Sequence, residues 1–199
     1  MTLLKAFSSL PGLNEREILR YAGVNGETDE FHDLIVSLYE GMKDGLIYHV
    51  CYTECEIKRD GGLDFGFAKT GSKSLEKCLE HCDKAVIFVA TVGFTPDVMI
   101  SKYRLQPRKA LFCQSIGAER VEMVCDAFCD FICEKYKDGG YKTVPRFSPG
   151  YGDLDISFNT ALLDTLEAGK NIGVKTTSGG HMTPTKSVSA IIGLKKIRD

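Results

Sequence analysis

No apolar run in the 199 residues approaches the roughly 20 residues that a membrane-crossing helix needs. The longest, AVIFVATVGF at 85–94, has about half that length. Several motifs are also missing. There is no G-x-G-x-x-G or G-x-x-x-x-G-K-[ST], so a dinucleotide fingerprint and a phosphate loop are excluded. No serine sits in a G-x-S-x-G elbow, and no H-E-x-x-H commits histidines to a metal. Charge of one sign is lacking too: 25 Lys and Arg stand against 27 Asp and Glu, and basic residues concentrate only in LKKIRD at 194–199. Such a chain has no field to attract nucleic acid. The first residues contain no apolar core of signal-peptide length, so an unprocessed, cytoplasmic protein with reduced thiols is expected.

Eight cysteines are present, but none in the C-x2-C spacing of metal knuckles. Cys51 and Cys55, Cys78 and Cys82, and Cys125, Cys129 and Cys133 recur at intervals of four, with Cys113 alone. On a helix that interval stacks side chains on one face. In a reducing compartment they are expected to serve as small hydrophobes. A metal, cluster or thiol-redox role is the competing reading.

Composition is that of a folded chain, with 43% hydrophobic and 26% charged residues, and one domain over 1–199 is expected. Two helices are predicted first. Asn14 caps one that Gly23 stops; Thr28 caps the next, whose buried stripe is Phe31, Leu34, Ile35, Leu38 and Tyr39, with Gly45 ending it. Residues 46–72 predict a β-hairpin turning at RDGG. A short helix capped by Ser72 or Ser74 leads into KAVIFVATVG at 84–93, which reads as a strand buried on both faces. Residues 107–136 carry the strongest helical pattern, with Val121, Val124, Cys125, Phe128, Phe131 and Ile132 on one face. A shorter helix ending at Gly169 and a final extended segment with Val188, Ala190 and Ile192 alternating complete an α+β fold, an antiparallel or mixed sheet flanked by helices.

Two features offer only weak ligand contacts: Gly93, just after the buried strand, and His181 in a Gly-rich turn. The stronger candidate is RFSPGYGD at 146–153. Pro149 fixes its own dihedral and holds Ser148 extended, while Gly150 permits close approach of a backbone. Arg146 can pair with a carboxylate, Tyr151 can offer a ring face, and backbone amides can meet ring nitrogens. A ligand with an amino-acid end and an aromatic end suits these groups. A rigid loop with an arginine salt bridge and a packed tyrosine suits them as well.

Arg146, Pro149, Gly150 and Tyr151, in the pattern Arg-x-x-Pro-Gly-Tyr, resemble the S-adenosylmethionine-binding signature of the activation domain of cobalamin-dependent methionine synthase. CDAFCDFICE before it resembles the family's long helix, and HMTPTKSVSA resembles its Met-x-Pro-x-x-Ser-Val-Ser segment. After the tyrosine the chain departs from the family, reading GDLDIS. The resemblance implies that Arg146 binds the ligand's carboxylate, that the backbone of Phe147, Ser148, Pro149, Gly150 and Tyr151 meets adenine and ribose, and that Asp126 is the acidic helix residue that helps hold the ligand. It also implies a free-standing reactivation partner of a methionine synthase lacking its own activation domain. That partner would carry the cobalamin, and a flavodoxin- or ferredoxin-like donor would supply the electron. The alternative is a non-catalytic S-adenosylmethionine-sensing or docking module for another corrinoid protein.

Overall fold

The structure, a computed structural model, describes residues 1–8, 10–24 and 28–197. Strand β1 (Leu3–Ala6) precedes helices α1 (Glu15–Ala22) and α2 (His32–Glu40). Strand β2 (His49–Glu56) is followed by the two-residue strands β3 (Lys58–Arg59), β4 (Leu63–Asp64) and β5 (Lys69–Thr70), then by helix α3 (Lys73–Cys78). Next come β6 (Lys84–Thr91), α4 (Thr95–Lys102), α5 (Pro107–Lys137) and β7 (Tyr141–Thr143). The chain continues with α6 (Phe158–Thr165), α7 (Ala168–Asn171), β8 (Lys175–Thr176), β9 (Met182–Thr183) and β10 (Ser187–Lys196).

The main sheet has the order β1-β2-β6-β10-β7, and every neighbouring pair is antiparallel. The fold is therefore α+β with an antiparallel sheet, as one of the two sequence options had it. β6 lies at its centre and is apolar on both faces because both are covered. Val86, Phe88 and Ala90 face one core with α1, α2, α4 and α5; Ala85, Ile87 and Val89 face the other with α3, α6 and the small β3-β4-β5 sheet. The two-residue period of a strand divides these side chains between the layers. On the α5 face, Phe128 is fully buried against Phe88 and Tyr52, with ring centroids 4.8 and 5.0 Å away.

Several boundaries differ from the sequence expectation. The Asn14 cap is present, its side chain accepting from the Glu17 N–H, and Gly23 ends α1 in the left-handed conformation. α2 ends at Gly41; Gly45 ends a separate 3-10 turn, Lys43–Gly45. The cap assigned to the Thr28 side chain lies outside the described residues. The expected hairpin is only the short β3-β4 pair around the RDGG turn, because β2 pairs with β1 and β6 instead. Ser72, not Ser74, caps α3, accepting from the Leu75 N–H. α6 ends before Gly169, which lies inside α7; Glu167, with φ 46°, makes the break. The pair Cys51 and Cys55 is on strand β2, where an interval of four also returns to one face.

A buried ion pair fastens the start of the chain to α5. Glu119 and Arg120 are 2% and 1% exposed, with Arg120 Nε 2.5 Å from Glu119 Oε2. Arg120 also donates to the carbonyls of Pro11 and Gly12, and Glu119 accepts from the Asn14 N–H. Removing one partner strands the other charge in the interior. Arg120→Met is expected to lower unfolding stability by about 3–5 kcal/mol in urea titrations. A loss below about 1 kcal/mol would mean that the pair does not anchor this segment.

Candidate functional site

The candidate site forms at an edge that β7 leaves open. β7 pairs only with the end of β10, at Leu194 to Lys196. Upstream, Phe147 forms a single bridge to Ile191: each residue's N–H donates to the other's carbonyl at 2.9 Å. Beyond that bridge the loop after β7 swings away from β10, and a cleft of about 420 Å³ opens between them. Ile191 directs its backbone groups toward Phe147, so by the two-residue strand period Ser189 presents its own to the same edge.

The cleft is lined by Arg146, Phe147, Ser148, Pro149 and Tyr151 from the loop, and by Met182, Ser187, Val188 and Ser189 from the segment entering β10. The two stretches singled out in the sequence, RFSPGY and HMTPTKSVS, are thus opposite walls of one cavity. Glu122 of α5 and Asn159 of α6 complete the lining. Asp126 and Gly150 are not among the lining residues. Asp126 instead meets the far side of Arg146. Gly150, at φ 92°, makes a turn in which its N–H donates to the Leu154 carbonyl at 2.8 Å.

Arg146 is the charged centre of the site. Its Nη2 lies 2.5 Å from Glu122 Oε2 and its Nη1 2.6 Å from Asp126 Oδ1. Glu122 and Asp126 are four apart on α5, which puts both carboxylates on one helix face. Nη1 also lies 3.8 Å from Cys129 Sγ. Burial works against the Arg146 charge, but its hydrogen bond to Asp126 and the neighbouring Cys125, Cys129 and Glu122 raise its pKa above the ordinary guanidinium value. It is a fixed cation. Burial likewise pushes the Cys125 and Cys129 thiols up, so they stay protonated near neutral pH.

The back wall is tied together by buried polar groups. The Ser189 hydroxyl donates to Asn159 Oδ1, and Asn159 Nδ2 donates to the Gly180 carbonyl at 2.8 Å. The Ser187 hydroxyl bonds Thr91 Oγ1 at 2.9 Å and the Pro184 carbonyl at 2.8 Å. Lys186, between these wall residues, runs its stem past Gly117 of α5, where an added Cβ would come within 2.9 Å of Lys186 Cγ and of Pro96 Cβ. Glycine is needed at that point of α5 for space. Tyr151 stands at the rim with 69% of its surface exposed.

Sequence reading missed Glu122 and Asn159. Glu122 was accessible through its interval of four from Asp126; Asn159, buried at one helix end, gave no local signal. The weak candidates fall elsewhere. Gly93 is buried, and its N–H is used internally by Thr91 Oγ1 at 3.1 Å. His181 is exposed in the β8-β9 turn and does not line the cleft. All eight cysteines are free thiols; Cys51, Cys82, Cys113 and Cys125 are buried, while Cys133 is exposed. Among the described residues, no group of three His, Cys, Asp or Glu side chains is placed to hold a metal, and no helix is long and apolar enough to cross a membrane.

No family model matches the chain, and no curated protein matches its sequence. Among solved structures it is similar to the MetH reactivation domain bound to AdoHcy, with a TM-score of 0.66 and 15% identity over 97% of this chain and 78% of that one. The likeness shows the fold: this chain has the α+β architecture of that reactivation domain.

The departure GDLDIS has a structural use. The Asp153 carboxylate accepts from the Ser72 hydroxyl at 2.5 Å and from the N–H groups of Lys73 and Ser74 at 2.7 and 3.0 Å. It clamps the cleft loop to the start of α3, and these hydrogen bonds hold its pKa below the usual carboxylate range. The contribution is complete above the unfolded value of about 4 and is lost as pH falls below it. Asp153→Asn is expected to lower Tm at pH 7 and to flatten the decline of Tm between about pH 4 and pH 2. Parallel Tm curves for mutant and wild type would contradict the clamp.

Proposed function

We propose that the cleft binds S-adenosylmethionine and that the chain acts in trans on a cobalamin-dependent methionine synthase lacking its own activation domain. There it would support reductive methylation of cob(II)alamin to methylcobalamin, with an electron from a flavodoxin- or ferredoxin-like donor. The observation that carries this reading is the convergence of residues 146–151 and 182–189 on one cleft with a paired guanidinium and carboxylate at its wall, within the fold of a MetH reactivation domain.

The residues present fit such a ligand. The cavity lies within the range of about 300–1,000 Å³ typical of small-molecule sites. An amino-acid zwitterion brings one charge of each sign, and Arg146 with Glu122 offers the complementary pair. Arg146 would take the carboxylate by its two-pronged donor geometry, and Glu122 would take the ammonium. Asp126, outside the cavity, would keep the guanidinium in place while Glu122 changes partner. The Tyr151 ring, the backbone of residues 147–151 and the edge groups of Ser189 would meet the adenosine end. When bound, S-adenosylmethionine supplies an activated methyl group on a sulfonium. The chain's own task is to hold and orient, which by itself is a large part of such a barrier. No side chain in the cleft has to move a proton.

Calorimetric titration tests the site directly. Wild type is expected to bind S-adenosylmethionine with one site per chain, and Arg146→Ala to weaken it by about ten- to a hundredfold, the worth of hydrogen bonds to a charged group. Glu122→Gln is expected to weaken the ligand while leaving the affinity for a des-amino analogue unchanged. Equal affinity in wild type and Arg146→Ala would place the ligand elsewhere.

A further inference from the structure

A second cavity, larger than the first at about 680 Å³, lies at the opposite end of β10. Roughly 25 Å separates the two along the strand, at about 3.3 Å per residue. Its lining is basic: Arg59 from β3, Lys142 from β7, and Lys195 and Lys196 from β10, joined by His81, with Asp83 the one carboxylate in the lining among the described residues. Cys82 and Ile197 complete it. These cations come from three separate strands, so the sequence shows only the two contributed by LKKIRD. Arg198 and Asp199 of that stretch lie outside the described residues.

Two details distinguish this groove from a solvated charged surface. Lys142 and Lys195 stand directly opposite each other in the β7-β10 ladder. Like charges at directly opposed positions destabilise a sheet, and a carboxylate at either would instead form a favourable pair. Arg59 is held in the groove: its Nη2 donates to the Leu79 carbonyl at 2.8 Å, which leaves other N–H groups of the fork for a ligand. Nearby His81 takes a left-handed backbone, φ 64°, where the chain turns at the groove wall. Charge repulsion retained in a concave site is what a ligand of opposite sign relieves, and a cavity with an excess of positive charge, four cationic residues against Asp83, concentrates that ligand.

We propose that this groove is a binding site for a small anion carrying two or more linked phosphate groups, as in a nucleotide or free pyrophosphate. Arg59 provides a planar, two-pronged contact to phosphate oxygens, and Lys142 and Lys195, opposed on one face of the sheet, supply point charges beside it. The concave shape and the clustering of cations within one cavity favour a compact ligand over an extended acidic protein surface.

Inorganic pyrophosphate is the probe, titrated calorimetrically into the full chain at low ionic strength. Saturable binding with one site per chain is expected, tighter than for inorganic phosphate. Lys142→Gln/Lys195→Gln is expected to weaken it at least tenfold, while Arg146→Ala leaves it unchanged. Lys142→Glu should raise the Tm of the unliganded protein by removing the opposed charges and should abolish pyrophosphate binding, which separates ligand loss from misfolding. Absence of saturable binding, equal binding by the double variant, or a lower Tm for Lys142→Glu would overturn the proposal. So would saturable binding of a poly-glutamate peptide without binding of pyrophosphate.

Discussion

The fork between Arg146 and the two carboxylates of α5 is the interaction around which the candidate cleft is built. Arg146 belongs to a loop, Glu122 and Asp126 to the longest helix, and the three close at 2.5 and 2.6 Å. Without them the loop would be tethered to β10 through Phe147 and to α3 through Asp153, with nothing fixing its charged end. The two carboxylates differ in what they face: Glu122 lines the cavity, and Asp126 is outside it, with 61% of its side chain exposed. Because Asp126 is open to solvent, its pairing with Arg146 adds little to stability. Its use is orientation, since it leaves the other prong of the guanidinium directed at the cavity.

The position of the cleft follows from the lengths of two strands. β10 is ten residues long and β7 only three, so most of one edge of β10 has no strand beside it. An unpaired edge is a hazard unless something covers it. Here the loop and its single Phe147 bridge cover part of it, and the remainder becomes the cavity. Both ends of β10 thus carry cavities of different character, a zwitterionic one where Ser187 and Ser189 lie and a cationic one where Lys195 and Lys196 lie. The central strand β6, buried on both faces, holds β10 in register with the rest of the sheet over eight residues.

What was legible in the sequence was what repeats over distance. β6 and α5 are long and strongly patterned, and both were placed within a residue or two of their observed bounds. α4 was not: it is eight residues long with little patterning of its own, and its one start signal is Pro96 in the first turn. β1 escaped because its four residues are mostly exposed and depend on pairing with β2. Of the site, the loop residues stood out through their unusual backbone chemistry and through family resemblance. Glu122 and Asn159 did not, because their roles depend on which helix faces the loop, a tertiary fact. The cationic groove was invisible for the same reason: Arg59 and Lys142 join Lys195 only through sheet topology.

A co-crystal structure with S-adenosylhomocysteine is the decisive test of what the cleft holds. The ligand is expected in the cleft between residues 146–151 and 187–189, with its carboxylate on Arg146, its ammonium on Glu122, and Asp126 still bound to the guanidinium. A ligand seated elsewhere, or one whose amino-acid end avoids Arg146 while the Arg146 to Glu122 pair stays closed, would contradict it.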